Sequence, residues 1–340
     1  MTRRSLLSAC ACLCAGWTPA GADPLPHLVL DPAGTTVSGL SSGAFMAVQL
    51  QVAFSQAILG AGVVAGGPFG CAEGLLWRAL HVCMDPFFVS ADPQDSLAVI
   101  RSLDAEDAID PAEFIASDRV YLFHGRADGT VDRTAMDALA EMYGLLGVPS
   151  AAISYVDSFD AGHGFVTEAG SLTCDATGGN FLIDCDFDQA GDILTWLYGA
   201  LDPAGEDRPD ALLSFDQSAY AGGAAGMDDT GFVYVPEACA AGETCRLHIA
   251  LHGCKQGRER LGSDFARLTG YNRWAESNAI VVIYPQAISI PAPWYDIYGG
   301  NPNGCWDWWG YSGDDYLGRS GPQLAAIARM AAALGAPLSP

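Results

Sequence analysis

Thr35-Thr36-Val37-Ser38-Gly39-Leu40-Ser41-Ser42-Gly43-Ala44-Phe45-Met46-Ala47-Val48-Gln49-Leu50 is the stretch that decides the fold. Its first six residues predict a short buried strand. Residues 44–54 are apolar on most faces and predict a helix enclosed by the rest of the chain. Between them stands Gly39-Leu40-Ser41-Ser42-Gly43, a G-x-S-x-G sequence at a strand-to-helix turn. So sharp a turn needs glycine at both flanks, because side chains there would collide with the bending backbone. It holds one serine hydroxyl above the sheet edge, with the positive end of the helix beneath it. Ser41 has the spacing of a nucleophile; Ser42 is one step out of register.

Outward from this turn the chain alternates. Residues 61–67, 120–125, 151–156, 232–236, 247–253 and 280–285 read as strands, and residues 135–146, 193–198, 268–278 and 323–334 as helices or helix parts. The alternation predicts an α/β fold with a mostly parallel central sheet and helices on both faces. Residues 202–230 are polar and rich in Gly and Asp and read as a long connection. Neither half holds a complete set of strands, so residues 23–340 are expected to form one domain.

The 340 residues include 40 Asp or Glu against 16 Lys or Arg, a net charge of −24. That field argues against nucleic acid or an anionic membrane as partner. Lys255 is the single lysine. The start reads as an export signal: Arg3-Arg4, a small apolar run over 5–17, and Ala20-Gly21-Ala22 before a cut that leaves Asp23 first. No later run is long enough for a membrane span. Beyond this leader, eight cysteines remain, an even number suited to an oxidising compartment. Proximity suggests Cys71–Cys83, Cys174–Cys185 and Cys239–Cys245, leaving Cys254 with Cys305. No Cys/His cluster has zinc-ligand spacing, so neither a metal nor another cofactor is expected. The expectation is an exported monomer.

A serine hydroxyl is hardly ionised near neutral pH and needs a base. Of the six histidines, His163 in Ala161-Gly162-His163-Gly164-Phe165 follows a strand in a flexible loop, where a sheet presents a base. The base needs an orienting carboxylate. His124-Gly125-Arg126-Ala127-Asp128-Gly129-Thr130-Val131-Asp132 resembles the acid loop of α/β-hydrolases, with Asp128 the acid and Asp132 its alternate. The order Ser41, Asp128, His163 is that of the α/β-hydrolases. One oxyanion donor is the N–H of Ser42, which follows the nucleophile. The second normally comes from an H-G-G-type loop ahead of the nucleophile. Here the best match, Leu251-His252-Gly253-Cys254-Lys255-Gln256, lies after it. The terminal helix, too, looks like the one that usually precedes the nucleophile strand. Joining the C-terminus to the N-terminus restores the usual order, which reads as a circularly permuted α/β-hydrolase.

These motifs, with Asn301-Pro302-Asn303-Gly304-Cys305-Trp306-Asp307-Trp308, resemble the catalytic domain of polyhydroxybutyrate depolymerases. The resemblance covers about residues 30–335. It implies a secreted serine esterase cleaving poly(3-hydroxybutyrate) or its oligomers, with Ser41, Asp128 and His163 as the triad and the N–H groups of Ser42 and Cys254 as oxyanion donors. Many relatives add a separate polymer-binding domain; this chain resembles the single-domain kind. Trp294, Tyr295, Tyr298, Trp306, Trp308, Trp309 and Tyr311 crowd into 18 residues. Trp306, Trp308, Trp309 and Tyr295 are expected to face a polyester substrate, since aromatic faces pack well on an apolar chain. A core cluster under a loop, or a platform for sugars, is the competing reading. The same machinery would serve a feruloyl or acetyl-xylan esterase. A non-catalytic polymer-binding protein would make the Ser-His-Asp set accidental.

Overall fold

The structure, a computed structural model, describes residues 23–294 and 300–339. The leader at 1–22 and Tyr295 lie outside these residues. Eight strands form the central sheet: β1 (Leu30–Leu40), β2 (Ile58–Val64), β3 (Arg119–Phe123), β4 (Ile153–Val156), β8 (Leu212–Asp216), β9 (Thr230–Tyr234), β10 (Cys245–Leu251) and β11 (Ile280–Tyr284). Three very short strands, β5 (Phe165–Val166), β6 (Leu172–Thr173) and β7 (Leu182–Asp184), make a separate small sheet. The helices of eight residues or more among the described residues are α1 (Ser42–Ala53), α2 (Pro93–Ala105), α3 (Arg133–Leu145), α4 (Gln189–Tyr198), α5 (Tyr271–Asn278) and α6 (Pro322–Leu334).

The central sheet runs β4-β3-β2-β1-β10-β11-β9-β8. Pairing is parallel from β4 through β11, and β9 pairs antiparallel with both β11 and β8. Strands from both halves of the chain therefore share one sheet. The long connection read at 202–230 contains an element the sequence concealed. Residues 212–216 form edge strand β8, whose exposed Leu213 and Ser214 blur the alternation that marks a strand.

Along each central strand the side chains alternate between two cores. Val37, Ile249, Leu251 and Ile283 face α1, α2, α3 and α6. Leu40, Ala250, Val282 and Tyr284 face α4 and α5. A sheet covered on both faces must be apolar on both, hence runs such as Ile280-Val281-Val282-Ile283. Helix α1 is buried at all twelve positions. Its two polar interior residues are both satisfied. Gln49 donates to Asp307 O, and Gln51 takes the Tyr143 hydroxyl and donates to Asp118.

All four disulfides pair as proximity suggested: Cys71–Cys83, Cys174–Cys185, Cys239–Cys245 and Cys254–Cys305. Among the described residues no helix is long and apolar enough to cross a membrane.

Candidate active site

Parallel register brings the chemistry to one edge. Gly39 pairs with Leu251, Leu40 with Val64, Val64 with Phe123, and Phe123 with Val156. The loops that begin at Ser41, His124, Asp157 and His252 therefore leave the sheet side by side at the carboxyl ends of the strands, where open α/β sheets bind ligands.

Ser41 sits at φ 56°, ψ −120°, a conformation costly for a residue with a side chain. The elbow is locked on both sides. A β-carbon on Gly39 would lie 2.2 Å from the Gly43 carbonyl oxygen, and one on Gly43 would lie 2.4 Å from Leu251 O. Ser41 N–H donates to Val64 O, while its own carbonyl takes the N–H groups of Ala44 and Phe45. Its hydroxyl makes no helix-capping bond, and no acidic residue occupies the first turn of α1. Ser42 differs: its Oγ accepts the Trp306 N–H at 3.3 Å.

His163 Nδ1 lies 2.8 Å from Asp128 Oδ2. The other Asp128 oxygen accepts the N–H groups of Thr130 and Val131. Burial works to raise the Asp128 pKa, but the hydrogen bond and charge of His163 and these two backbone donors outweigh it. The carboxyl is held below its ordinary value, ionised and able to accept from Nδ1–H. In the neutral ring of that tautomer Nε2 is the acceptor, and His163 lines the cavity together with Ser41. Asp132, the alternate, is occupied otherwise: it caps α3 through the N–H and hydroxyl of Thr134. His124 closes the acid loop, its Nε2 donating to Val131 O at 2.9 Å. The base loop is fastened by His163 N–H to Thr177 Oγ1, beside the Cys174–Cys185 bond.

The turn after β10 is built from its interior. Ala287 N–H donates to His252 Nε2, so the proton of this ring is on Nδ1, which donates to Gly253 O at 2.7 Å. Burial lowers the His252 pKa to about 4, so the ring is neutral. Gln256 takes the Gly253 N–H on Oε1 and donates to Asn180 O. With the Gly253 carbonyl held on one side, the trans peptide directs the Cys254 N–H to the other. Neither that N–H nor the Ser42 N–H has an acceptor among the described residues.

Ser41, His163, Gly253, Cys254 and Lys255 line a cavity of about 320 Å³. A second cavity of about 210 Å³ is lined by Trp308, Trp309 and the Cys254–Cys305 bond. The two share Met84, Cys254 and Asn303, so an elongated cleft runs from the serine toward the tryptophans. Trp306 does not stand where it was expected. It has no exposed surface, and its indole N–H donates to His252 O behind the turn that follows β10. The ring is drawn inward by two groups, its backbone N–H meeting Ser42 Oγ and its indole N–H meeting His252 O, and it packs in the same core as α1 and α6. Trp308 stacks on Phe45 at 3.9 Å, and Trp309 packs edge-on against Trp308. Asp307 organises this segment by accepting three consecutive N–H groups on Oδ1 and Ser312 on Oδ2. Met84 and Thr177 line the site without having carried any local signal in the sequence, whereas Asn303 lies in the motif read at 301–308.

The sheet and its helical layers are those of an α/β-hydrolase. No family model matches the chain. It is 41% identical over 339 residues to the poly(3-hydroxybutyrate) depolymerase of Delftia acidovorans, covering 96% of this chain and 65% of that one. It is 39% identical over 321 residues to the polyhydroxybutyrate depolymerase of Talaromyces funiculosus, covering 92% of each. The crystal structure of a polyhydroxybutyrate depolymerase from Penicillium funiculosum matches with a TM-score of 0.82 at 38% identity, covering 91% of this chain and 98% of that one. A second solved structure, a serine-to-alanine variant complexed with an R3HB trimer, matches at 0.81, again with 38% identity and 91% and 98% covered. The chain belongs to the polyhydroxybutyrate depolymerase family, whose members are carboxylic ester hydrolases.

Proposed function

We propose that the protein is an exported serine esterase that hydrolyses poly(3-hydroxybutyrate) or its oligomers at Ser41. The observation that carries this reading is the short His163–Asp128 pair opening, with the strained Ser41, on one cavity. In the first step His163 Nε2 takes the Ser41 proton as Oγ attacks the ester carbonyl. The tetrahedral oxyanion is held by the N–H groups of Ser42 and Cys254, with the α1 dipole behind the first. Asp128 stabilises the imidazolium and keeps its orientation. His163 then gives the proton to the departing alcohol, leaving a 3-hydroxyacyl ester on Ser41. Water, deprotonated by His163, releases the acid and restores the serine.

The cleft supports a chain-like substrate. Trp308 and Trp309 line its far end, and the nearby segment 75–89 is unusually apolar at the surface. Trp77 is 62% exposed, Phe87 74% and Phe88 86%. Apolar residues grouped at a site mouth fit a solid polyester better than a hydrated polysaccharide. The similar depolymerase complexed with an R3HB trimer supports the same substrate class. Export is supported by the leader-like start and the four disulfides. The permuted order is supported by β10 lying beside β1, and by the Leu28 N–H donating to Leu334 O where the two ends of the described chain meet. Residues 23–340 would then be a single catalytic domain.

Clearing of an amorphous poly(3-hydroxybutyrate) suspension tests the reading, with Ser41→Ala as control. Wild type should clear it and release 3-hydroxybutyrate or short oligomers, and should be labelled at Ser41 by a fluorophosphonate. The variant should fold normally and do neither. Clearing by Ser41→Ala would refute the nucleophile. Release of ferulate or acetate from acylated xylan, without attack on the polyester, would move the substrate class.

A further inference from the structure

We propose that Lys255 binds the free carboxylate end of an oligoester whose ester bond lies at Ser41. The inference rests on the reading of the site as a polyester hydrolase and adds a chain-end preference to it.

Lys255 is the single lysine in a chain with 40 acidic residues, yet among the described residues its ammonium has no carboxylate within ion-pair distance. It lines the cavity that holds Ser41 and His163. No Asp or Glu lines that cavity with it. In a chain of net charge −24, an exposed cation at the rim of a cavity with no acidic residue in its lining stands out, the buried Asp128 carboxylate behind it being engaged by His163. The backbone fixes its place. Lys255 adopts φ 64°, uncommon for a residue with a side chain, and its N–H donates to Asn303 O at 2.7 Å. The preceding residue is tied to Cys305.

The chemistry of the substrate identifies the ligand. A 3-hydroxyalkanoate oligomer ends in a hydroxyl at one terminus and a carboxylate at the other. The carboxylate belongs to the alcohol half of every ester bond in the chain. A cation beside the oxyanion loop would therefore hold the leaving-group side and favour bonds near the carboxylate terminus. Esters within a long polymer carry no charge there and gain nothing from it.

The test compares kcat/KM for a 3-hydroxybutyrate trimer as free acid and as its methyl ester. Wild type should prefer the acid by about fivefold at low ionic strength, the worth of one partly screened ion pair. Raising salt from about 0.02 M to about 0.5 M should collapse that ratio toward unity. Lys255→Gln should abolish the preference and Lys255→Arg should keep it. Both variants retain a β-carbon at the positive-φ position, and a ratio taken within one variant cancels any general loss of activity. Equal ratios in wild type and Lys255→Gln, or a wild-type ratio indifferent to salt, would overturn the proposal while leaving the esterase reading intact. Hydrolysis of neither trimer by a protein that a fluorophosphonate still labels would overturn the polyester reading, and this inference with it.

Discussion

His252 serves the site from behind. It reaches no reacting atom, but its Nδ1–H fixes the Gly253 carbonyl and so the direction of the Cys254 N–H. His252→Ala should lower kcat by about tenfold to a hundredfold, less than outright loss of an oxyanion donor, and leave KM nearly unchanged. Steady-state kinetics with a thermal melt checks this; a change confined to KM would refute the positioning role. The sequence placed His252 in an H-G-G-type loop and His163 in a base loop, but it did not reveal what the His252 ring holds. His124, His163 and His252 all follow strands, and the ring partners give each a different duty: His124 on Val131 O, His163 on Asp128, His252 on Gly253 O. The strand-to-helix turn at Ser41 was legible because a turn this tight tolerates few residue types. Trp306 was misread because aromatic composition does not say which way a ring points.

At the scale of elements, the site is a set of loops held by covalent and hydrogen-bonded ties to a rigid sheet. The Cys254–Cys305 bond joins residues 51 apart and couples the oxyanion turn to the tryptophan segment. Replacing both with serine should cost about 4 kcal/mol by loop-closure entropy. Denaturant titration of the double variant measures that loss, and unchanged stability would contradict it. Activity should fall further than stability explains, since Asn303 and Lys255 lose their common anchor. The central strands and long helices were readable because a sheet covered on both faces writes continuous apolar runs into the sequence. Strand β8 and helix α2 were not. The first is a half-exposed edge, and the second buries only one narrow side through Leu97 and Ile100. The shared sheet could be foreseen because neither half of the sequence held a complete set of strands. The lining by Met84 and Thr177 could not, since it arises only when distant loops converge.

For the whole molecule, acid and alkali act on opposite groups. His248 and His252 are buried neutral, their pKa values lowered to about 3 and about 4 by desolvation. The unfolded chain binds protons there first, so stability present above about pH 6.5 is lost as pH falls toward 4. Asp118 behaves in reverse. Burial raises it to about 7, against the lowering effect of the Gln51 amide. Its penalty is absent below about pH 4 and grows until pH passes 7. Asp118→Asn should therefore raise the melting temperature at neutral pH, with a gain that shrinks to nothing near pH 4. A gain constant across that range would refute the shift. One feature of the frame also bears on how such an enzyme diversifies. Since α1 has no outer face, variation in the helix that presents the serine meets close packing at every position. Mutational libraries aimed at altered specificity should find their tolerated changes outside α1, at rim side chains such as Met84 that line the cavity without bonding to the reacting groups.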